Sequence, residues 1–338
     1  MDNFDVVPAR LREAREANGL SMKELSELIG VSSQAISQYE HGIIRPSILI
    51  LRRISNMLEY PFEFFLKEKL VYNYSDETIF FRATKDTTKK IKDAYAYRIK
   101  WANEILSYFK NFIEFCKVNI PSLDEYDLSY EMSSDVIEDI TQKVREYWNL
   151  GDGPIENLTE ILEDNGFVLC KISFKNKKVE AFSQWNNGVP YIFFGANRES
   201  AVSFRFSIAH ELGHLLMHYF VSKDDVFDKK KLSIMEEQAN KFAAFLLMPS
   251  KTFSRDMISN SLDYLIYIKE KWKVSIGSII KRCADLDILS ENQAIYLYRQ
   301  LAMKGYKKKE PLDDVIPIEE PELLKSALEL LLDNGIIE

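Results

Sequence analysis

The sequence predicts a mostly helical α+β protein, with an all-α bundle at the N terminus and a later domain in which a small sheet precedes a histidine-bearing helix. Short amphipathic segments joined by a tight turn within the first forty residues predict the bundle. Three short apolar runs between residues 168 and 194, each bounded by turn residues, predict the sheet. Three of the four histidines of the chain lie between residues 210 and 218, on one largely apolar helical pattern.

The chain is long enough for several domains. With 338 residues, 46% of them apolar, it can bury a sizeable core. We expect a helix-turn-helix domain at residues 1–66, a helical linker at 67–130, the domain with the sheet and the histidine helix at 131–250, and a helical C-terminal region at 251–338. The linker contains a long helical pattern over residues 88–119.

The N-terminal segment has the pattern of a helix-turn-helix. Helices are predicted at residues 8–18 and 22–29, Gly30 supplies the turn, and Ser32 caps a third helix over residues 33–40. The apolar positions expected in its core are Leu11, Leu25, Leu28, Val31, Ile36, Leu49, Ile50 and Ile54. This packing leaves the polar side chains of the third helix outward, which suits that helix to the major groove of double-stranded DNA.

Residues 20–46 resemble the Cro/C1 (XRE) helix-turn-helix family through Gly30-Val31-Ser32, Ile36-Ser37 and Tyr39-Glu40-x-Gly42. The resemblance implies that glutamines of the third helix reach base edges, since glutamine can pair with adenine through two hydrogen bonds. It also implies an internal ion pair between Arg15 and Glu40. The residues expected to contact DNA are Ser33, Gln34, Ser37, Gln38, Arg45 and Lys23. The alternative for Gln34 and Gln38 is an ordinary exposed helix face.

The charge balance argues for modest DNA affinity. The formal net charge of the chain is −8, and residues 1–66 carry seven basic against nine acidic side chains. Because neutralisation of phosphates drives most non-specific affinity, tight binding to an operator would need a homodimer, a well-placed basic face or a partner. Otherwise the module docks onto protein rather than DNA.

Other features of the sequence predict a cytoplasmic protein without a membrane partner. The first five residues are acidic rather than basic and apolar, and no apolar run approaches the roughly 18 residues of a membrane span. The three cysteines are widely separated and form no pattern of a disulfide or a metal site.

The histidine cluster predicts a metal-binding helix with a general base. His210 and His214 are four residues apart and share one face of a helix, and Glu211 lies beside them in an HExxH pattern. The alternative is an amphipathic helix with two ordinary histidines. The flanking residues are apolar, however, so unpartnered polar side chains would be costly to bury there. Gly213 costs the helix about 1 kcal/mol relative to alanine, which indicates a close neighbour.

A tetrahedral zinc site needs a third protein ligand beside two histidines. A second helical pattern over residues 233–248 offers Glu236 as a candidate for that ligand and Asn240, one turn later, as a hydrogen-bond partner of a ligating histidine. His218 is the rival ligand, but it is rotated about 40° from the metal face relative to His214. It is otherwise a contact to the substrate or the oxyanion, or a packed histidine.

Phe204-Arg205-Phe206-Ser207-Ile208-Ala209-His210-Glu211-Leu212-Gly213-His214, followed by Glu236-x-x-Ala239-Asn240-x-Phe242-Ala243 and Leu246-Leu247-Met248-Pro249, resembles the ImmA/IrrE metallopeptidase family. The resemblance implies a gluzincin-like zinc metallopeptidase domain at residues 131–250, with His210, His214 and Glu236 as ligands and Glu211 as base. It also implies a biology in which a partner transcriptional repressor, itself a helix-turn-helix protein, is cleaved to switch on stress or mobile-element genes.

The remaining expectations concern the sheet and the function. Strands are predicted at residues 168–173, 179–185 and 191–194, with the third at the edge where an extended substrate would pair. Two histidines and a carboxylate also accept manganese or iron in place of zinc. The competing function is a DNA-binding repressor whose peptidase-like domain senses a signal without cleaving.

Overall fold

The structure, a computed structural model, describes residues 5–67, 79–81, 89–172, 181–195, 200–222, 225 and 228–337. The chain divides into two compact units. One consists of Met1–Ser75 and Ala83–Phe112, and the other of Asp76–Arg82 and Ile113–Glu338.

The first unit contains the predicted helix-turn-helix. Its helices are α1 (Pro8–Ala17), α2 (Met22–Ile29), α3 (Ser33–Glu40), α4 (Ile48–Leu58), a short 3-10 helix (Phe62–Phe65) and α5 (Lys89–Phe109). Ser21 and Glu24 form a capping box at the start of α2, and Gly30 ends that helix with a φ of 73°. The hydroxyl of Ser32 then accepts a hydrogen bond from the backbone N–H of Ala35 and caps α3.

The core of this unit differs from the predicted set at two positions. Leu28 and Leu49 are 49% and 71% exposed, whereas Ile29 and Leu51 are buried. Each residue of a helix is rotated by 100° from the next. Where two apolar residues are close in sequence, the sequence alone therefore does not show which of them faces the core. The buried apolar residues of the cluster are Leu11, Ala14, Leu25, Ile29, Ile36, Leu51, Ile54, Leu58 and Phe65.

Helix α5 packs against α1, and it is shorter than the sequence predicts. It ends at Phe109 rather than near residue 119, and residues 113–133 contain no helix. Polar contacts between the two helices include a hydrogen bond from the Tyr97 hydroxyl to Glu16 at 2.6 Å and one from Lys100 to Glu13 at 2.7 Å.

The second unit contains a four-stranded sheet. Its strands are β1 (Ile79–Phe81), β2 (Val168–Ile172), β3 (Ala181–Asn186) and β4 (Val189–Gly195), in the order β1-β3-β4-β2. The turn between β3 and β4 uses Asn187 and Gly188, both with positive φ, as a tight hairpin requires. The three predicted strands are confirmed, although residues 173, 179 and 180 lie outside the described part. The expectation that the third strand forms an edge is wrong, because β4 lies between β3 and β2.

The helices of the second unit are α6 (Ser134–Tyr147), α7 (Leu158–Asp164), α8 (Ala201–Met217), α9 (Lys229–Leu247), α10 (Ser250–Asp256), α11 (Leu262–Trp272), α12 (Ile276–Asp285), α13 (Glu291–Met303) and α14 (Leu323–Asp333). Of these, α8 packs against β3 and β4, and α9 packs against α8. The close neighbour predicted for Gly213 of α8 is Phe242 of α9. A Cβ at Gly213 would lie 3.0 Å from the Phe242 ring, so glycine permits these helices to approach. None of the described helices is long and apolar enough to cross a membrane.

Candidate functional site

Two helices bring three potential metal ligands together. His210 and His214 project from α8, and Glu236 from α9. The Nε2 atoms of the histidines are 3.0 Å apart, and the Glu236 carboxylate oxygens lie 3.5 Å from Nε2 of His210 and 3.4 Å from Nε2 of His214. Among the described residues, these three form the group of histidine and acidic side chains able to hold a metal ion.

The geometry of this triad fits one small cation. In a tetrahedral zinc site with bonds of about 2.0–2.2 Å, neighbouring ligand atoms lie about 3.3–3.6 Å apart. The three separations in the structure, 3.0, 3.4 and 3.5 Å, are close to that range. Two imidazoles and one carboxylate leave one tetrahedral position open, as catalytic sites do.

The carboxylate of the triad is held in its ionised form. Burial alone would raise the pKa of Glu236, but its hydrogen bonds and charge interactions with His210 and His214 outweigh burial and lower the pKa well below its usual range. Glu236 therefore provides a negatively charged oxygen at neutral pH. The neighbouring Glu237 instead points outward and pairs with Lys241 at 2.8 Å.

Glu211 lies fully buried on α8 between the two histidines in sequence. The Ser183 hydroxyl of β3 donates a hydrogen bond to Oε2 of Glu211 at 2.6 Å. Ser183 itself is fully buried. Ser183 was not predicted as a site residue, and its signal in the sequence is a serine within a predicted strand.

Asn240 lies one turn after Glu236 on α9, and its Oδ1 atom is 3.0 Å from Nδ1 of His210. An amide oxygen can only accept, so His210 donates its Nδ1–H and keeps the lone pair of Nε2 for the triad. Asn240 thus contacts His210, and its role beside a metal-ligating histidine stays a prediction.

His218 is placed behind His214 rather than beside the triad. It is the residue after the last turn of α8 and is fully buried. Its Nδ1 lies 2.9 Å from Nδ1 of His214, and its Nε2 lies 2.9 Å from Oε1 of Gln238. Burial, together with the neighbouring His214, lowers the pKa of His218 to about 3. Gln238 was not identified from the sequence.

The predicted DNA-contacting residues lie on α2, on α3 and in the segment after α3. Ser33 and Gln34 are exposed, and Ser37 and Gln38 are half-buried. Lys23 is exposed and 4.0 Å from Glu27, while Arg45 pairs with Asp5 at 2.8 Å on the surface. The expected internal ion pair is present, since Arg15 donates to both carboxylate oxygens of Glu40, at 2.6 and 2.8 Å, in the interior of the bundle.

Comparison with known families supports both parts of the chain. Residues 11–65 match the helix-turn-helix family model. Residues 162–284, which include His210, His214 and Glu236, match the model of the IrrE N-terminal-like domain of peptidases.

Relatives of each part are also found. An oligoendopeptidase F homolog of Borreliella burgdorferi is 27% identical over 187 residues, which are 52% of this chain and 31% of that protein. A protein of Methanocaldococcus jannaschii named as an HTH-type transcriptional regulatory protein is 41% identical over 51 residues, 15% of this chain and 16% of its own. An SPbeta prophage-derived uncharacterized HTH-type transcriptional regulator of Bacillus subtilis is 31% identical over 58 residues, 17% of this chain and 54% of its own.

The matches to these relatives thus span between about a sixth and about a half of their lengths. The two family models confirm the two resemblances found in the sequence. The chain joins an N-terminal helix-turn-helix domain of the XRE type to an IrrE/ImmA-like domain of the metallopeptidase class.

Proposed function

We propose that the chain is a zinc-dependent endopeptidase that regulates transcription by cleaving a partner repressor, to which its helix-turn-helix domain directs it either through an operator or through the repressor itself. The observation that carries this proposal is the triad of His210, His214 and Glu236 with Glu211 on the same helix. A structural zinc site normally closes all four positions with protein ligands, whereas three ligands and an adjacent carboxylate suit catalysis.

Different residues of the chain have different roles in the proposed peptide cleavage. When bound, zinc supplies a Lewis acid that lowers the pKa of water and polarises the scissile carbonyl. The Glu211 carboxylate would accept the proton of the attacking water and pass it to the leaving amine. Ser183 holds the Glu211 carboxylate in one orientation through the hydrogen bond at 2.6 Å. Asn240 holds the ring of His210 in the same way.

The helix-turn-helix domain supports the regulatory part of the proposal. It exposes Ser33 and Gln34 at the start of α3, where a recognition helix contacts base edges. One relative of this domain is named as a prophage-derived regulator, which agrees with control of mobile-element genes. The proposed partners are therefore double-stranded DNA and, as the protein substrate, a helix-turn-helix repressor.

The test is a proteome-wide comparison of protein N termini in the native host, with the wild-type chain against Glu211→Gln, before and after DNA damage or oxidative stress. Because Glu211 is not a ligand in this proposal, Glu211→Gln should retain zinc, and its zinc content is the control. We expect a new N terminus within a repressor that depends on Glu211.

If no terminus differs between the two strains while the wild type carries zinc, the cleavage part of the proposal is overturned. The second candidate, a DNA-binding repressor whose peptidase-like domain senses a signal, then takes its place.

A further inference from the structure

A chain of hydrogen bonds runs away from the metal triad on the far side of His214. Nδ1 of His214 lies 2.9 Å from Nδ1 of His218, and Nε2 of His218 lies 2.9 Å from Oε1 of Gln238. The amide nitrogen of Gln238 then donates to the backbone carbonyl of Ser129 at 3.1 Å. All three side chains are buried, with exposures of 1%, 0% and 4%.

The backbone carbonyl of Ser129 determines which atom is the donor in every hydrogen bond of this series. A backbone carbonyl can only accept, so the NH₂ group of Gln238 faces Ser129 and its Oε1 atom faces His218. Oε1 can also only accept, so His218 carries a proton on Nε2. A neutral His218 then offers a lone pair at Nδ1, and His214 must donate its own Nδ1–H to it.

The consequence for His214 lies on the other side of its ring. With its proton on Nδ1, the neutral imidazole presents a lone pair at Nε2, the atom that lies 3.4 Å from Glu236 and 3.0 Å from His210. Asn240 sets the same tautomer in His210, because its Oδ1 accepts a hydrogen bond from Nδ1 of His210. Both lone pairs are thereby directed at one point, an arrangement that would be repulsive without a cation.

We propose that His218 and Gln238 are positioning residues that fix the tautomer and ring orientation of His214 for metal binding. Neither residue touches the metal or the substrate in this proposal. It rests on the metal-binding part of the proposed function, and it assigns to His218 a role different from that of a third ligand. Polar partners of ligating histidines typically change metal affinity about 10- to 100-fold when they are removed.

Two substitutions at position 218 separate this role from simple packing. Asparagine places an amide oxygen near the position of the Nδ1 atom of histidine, so His218→Asn keeps an acceptor for His214. Leucine fills a similar space without an acceptor. We expect His218→Leu to weaken zinc binding about 10- to 100-fold, measured by competition with a chromogenic chelator, and His218→Asn to restore most of that affinity.

The decisive readout is the tautomer itself in the metal-free protein. The chain has four histidines, so ¹⁵N labelling of histidine gives signals from four imidazole rings. Long-range ¹H–¹⁵N spectra distinguish the Nδ1–H tautomer from the Nε2–H tautomer. In the wild type we expect His214 as Nδ1–H and His218 as Nε2–H. In His218→Leu we expect His214 to lose its single tautomer, and Gln238→Leu should have a smaller effect of the same kind.

Several outcomes would overturn the inference. One is a wild-type His214 protonated on Nε2, and another is a His218→Leu protein whose zinc affinity and His214 tautomer both match the wild type. A third is equal loss of zinc affinity in His218→Asn and His218→Leu at equal thermal stability, which would show a packing role. If the wild type binds no zinc at all, the proposed function fails, and the spectra still report whether the hydrogen-bond chain orders His214.

Discussion

At the scale of single residues, the proposed metal triad depends on a ligand from a second helix. His210 and His214 are fixed relative to each other by the turn of α8, whereas Glu236 depends on the packing of α9. We expect Glu236→Ala to lower zinc occupancy as strongly as His210→Ala, because each removes one of three protein ligands. Metal content after dialysis against a weak chelator measures this effect. The neighbouring Glu237→Ala, which removes only a surface charge paired with Lys241, is the matched control.

Retention of full zinc occupancy by Glu236→Ala would contradict this assignment and return His218 to consideration as the third ligand. Loss of zinc in Glu237→Ala as well would show that the effect comes from α9 as a whole rather than from the carboxylate of Glu236.

At the scale of secondary-structure elements, the approach of α8 to α9 limits what residue 213 can be. A methyl group at Gly213 would lie 3.0–3.1 Å from atoms of Phe242. Overpacking of this kind costs about 1–3 kcal/mol, while alanine in place of glycine stabilises a helix by about 1 kcal/mol. We therefore expect Gly213→Ala to lower the free energy of unfolding by up to about 2 kcal/mol, measured by denaturant titration. Zinc affinity should fall as well, because α9 carries Glu236.

Gly277 in α12 provides the control for this prediction. A methyl group there would meet only the Ser275 hydroxyl, at 3.8 Å. Gly277→Ala should leave the free energy of unfolding unchanged or raise it, and should leave zinc affinity unchanged. Equal stability of Gly213→Ala and the wild type would show that Phe242 moves aside without cost.

The pairing of β1 with β3 is the second feature at this scale that leads to a testable prediction. β1 pairs antiparallel with β3, and Phe80 lies opposite Ser183, the residue that contacts Glu211. An extended protein substrate that pairs with β3 must therefore compete with β1. In an antiparallel pair only alternate residues exchange hydrogen bonds with the neighbouring strand. Proline lacks an N–H and so cannot donate a hydrogen bond to β3. Because Phe80 and Phe81 are adjacent, only one of the variants Phe80→Pro and Phe81→Pro removes a hydrogen bond to β3, and the other variant is the control.

We expect the disrupting variant to raise both amide hydrogen exchange in β3 and the rate of hydrolysis of labelled casein several-fold. The control variant should change neither. Faster exchange in β3 with an unchanged rate of hydrolysis would show that β1 does not obstruct the substrate.

At the scale of the whole molecule, the sequence predicted what local spacing determines. The helix-turn-helix, the three strands and the pairing of His210 with His214 follow from spacings of a few residues, whereas Glu236 was expected from a second helical pattern and from the family resemblance. Ser183 and Gln238 were missed because they reach the site only through tertiary packing. β1 was missed because three residues are too few for a pattern, and α5 was extended too far because apolar residues continue past its end.

The two domains also make separable predictions for the whole molecule. If α3 reads operator DNA, the double substitution Gln34→Ala and Gln38→Ala removes contacts to base edges, each worth about 1–3 kcal/mol of discrimination. We expect chromatin immunoprecipitation in the native host to lose its specific sites in this variant. Asn292→Ala, at an exposed position of α13, is the control and should retain them.

Because these glutamines are remote in sequence from His210, His214 and Glu236, the double variant should keep its zinc and its hydrolysis of labelled casein. Its effect on the partner repressor then discriminates between two modes of targeting. If cleavage of the repressor in the host is lost together with the DNA sites, the operator brings enzyme and substrate together. If the DNA sites are lost and cleavage persists, the enzyme finds its repressor directly. Specific sites that survive the double substitution would contradict base recognition by α3.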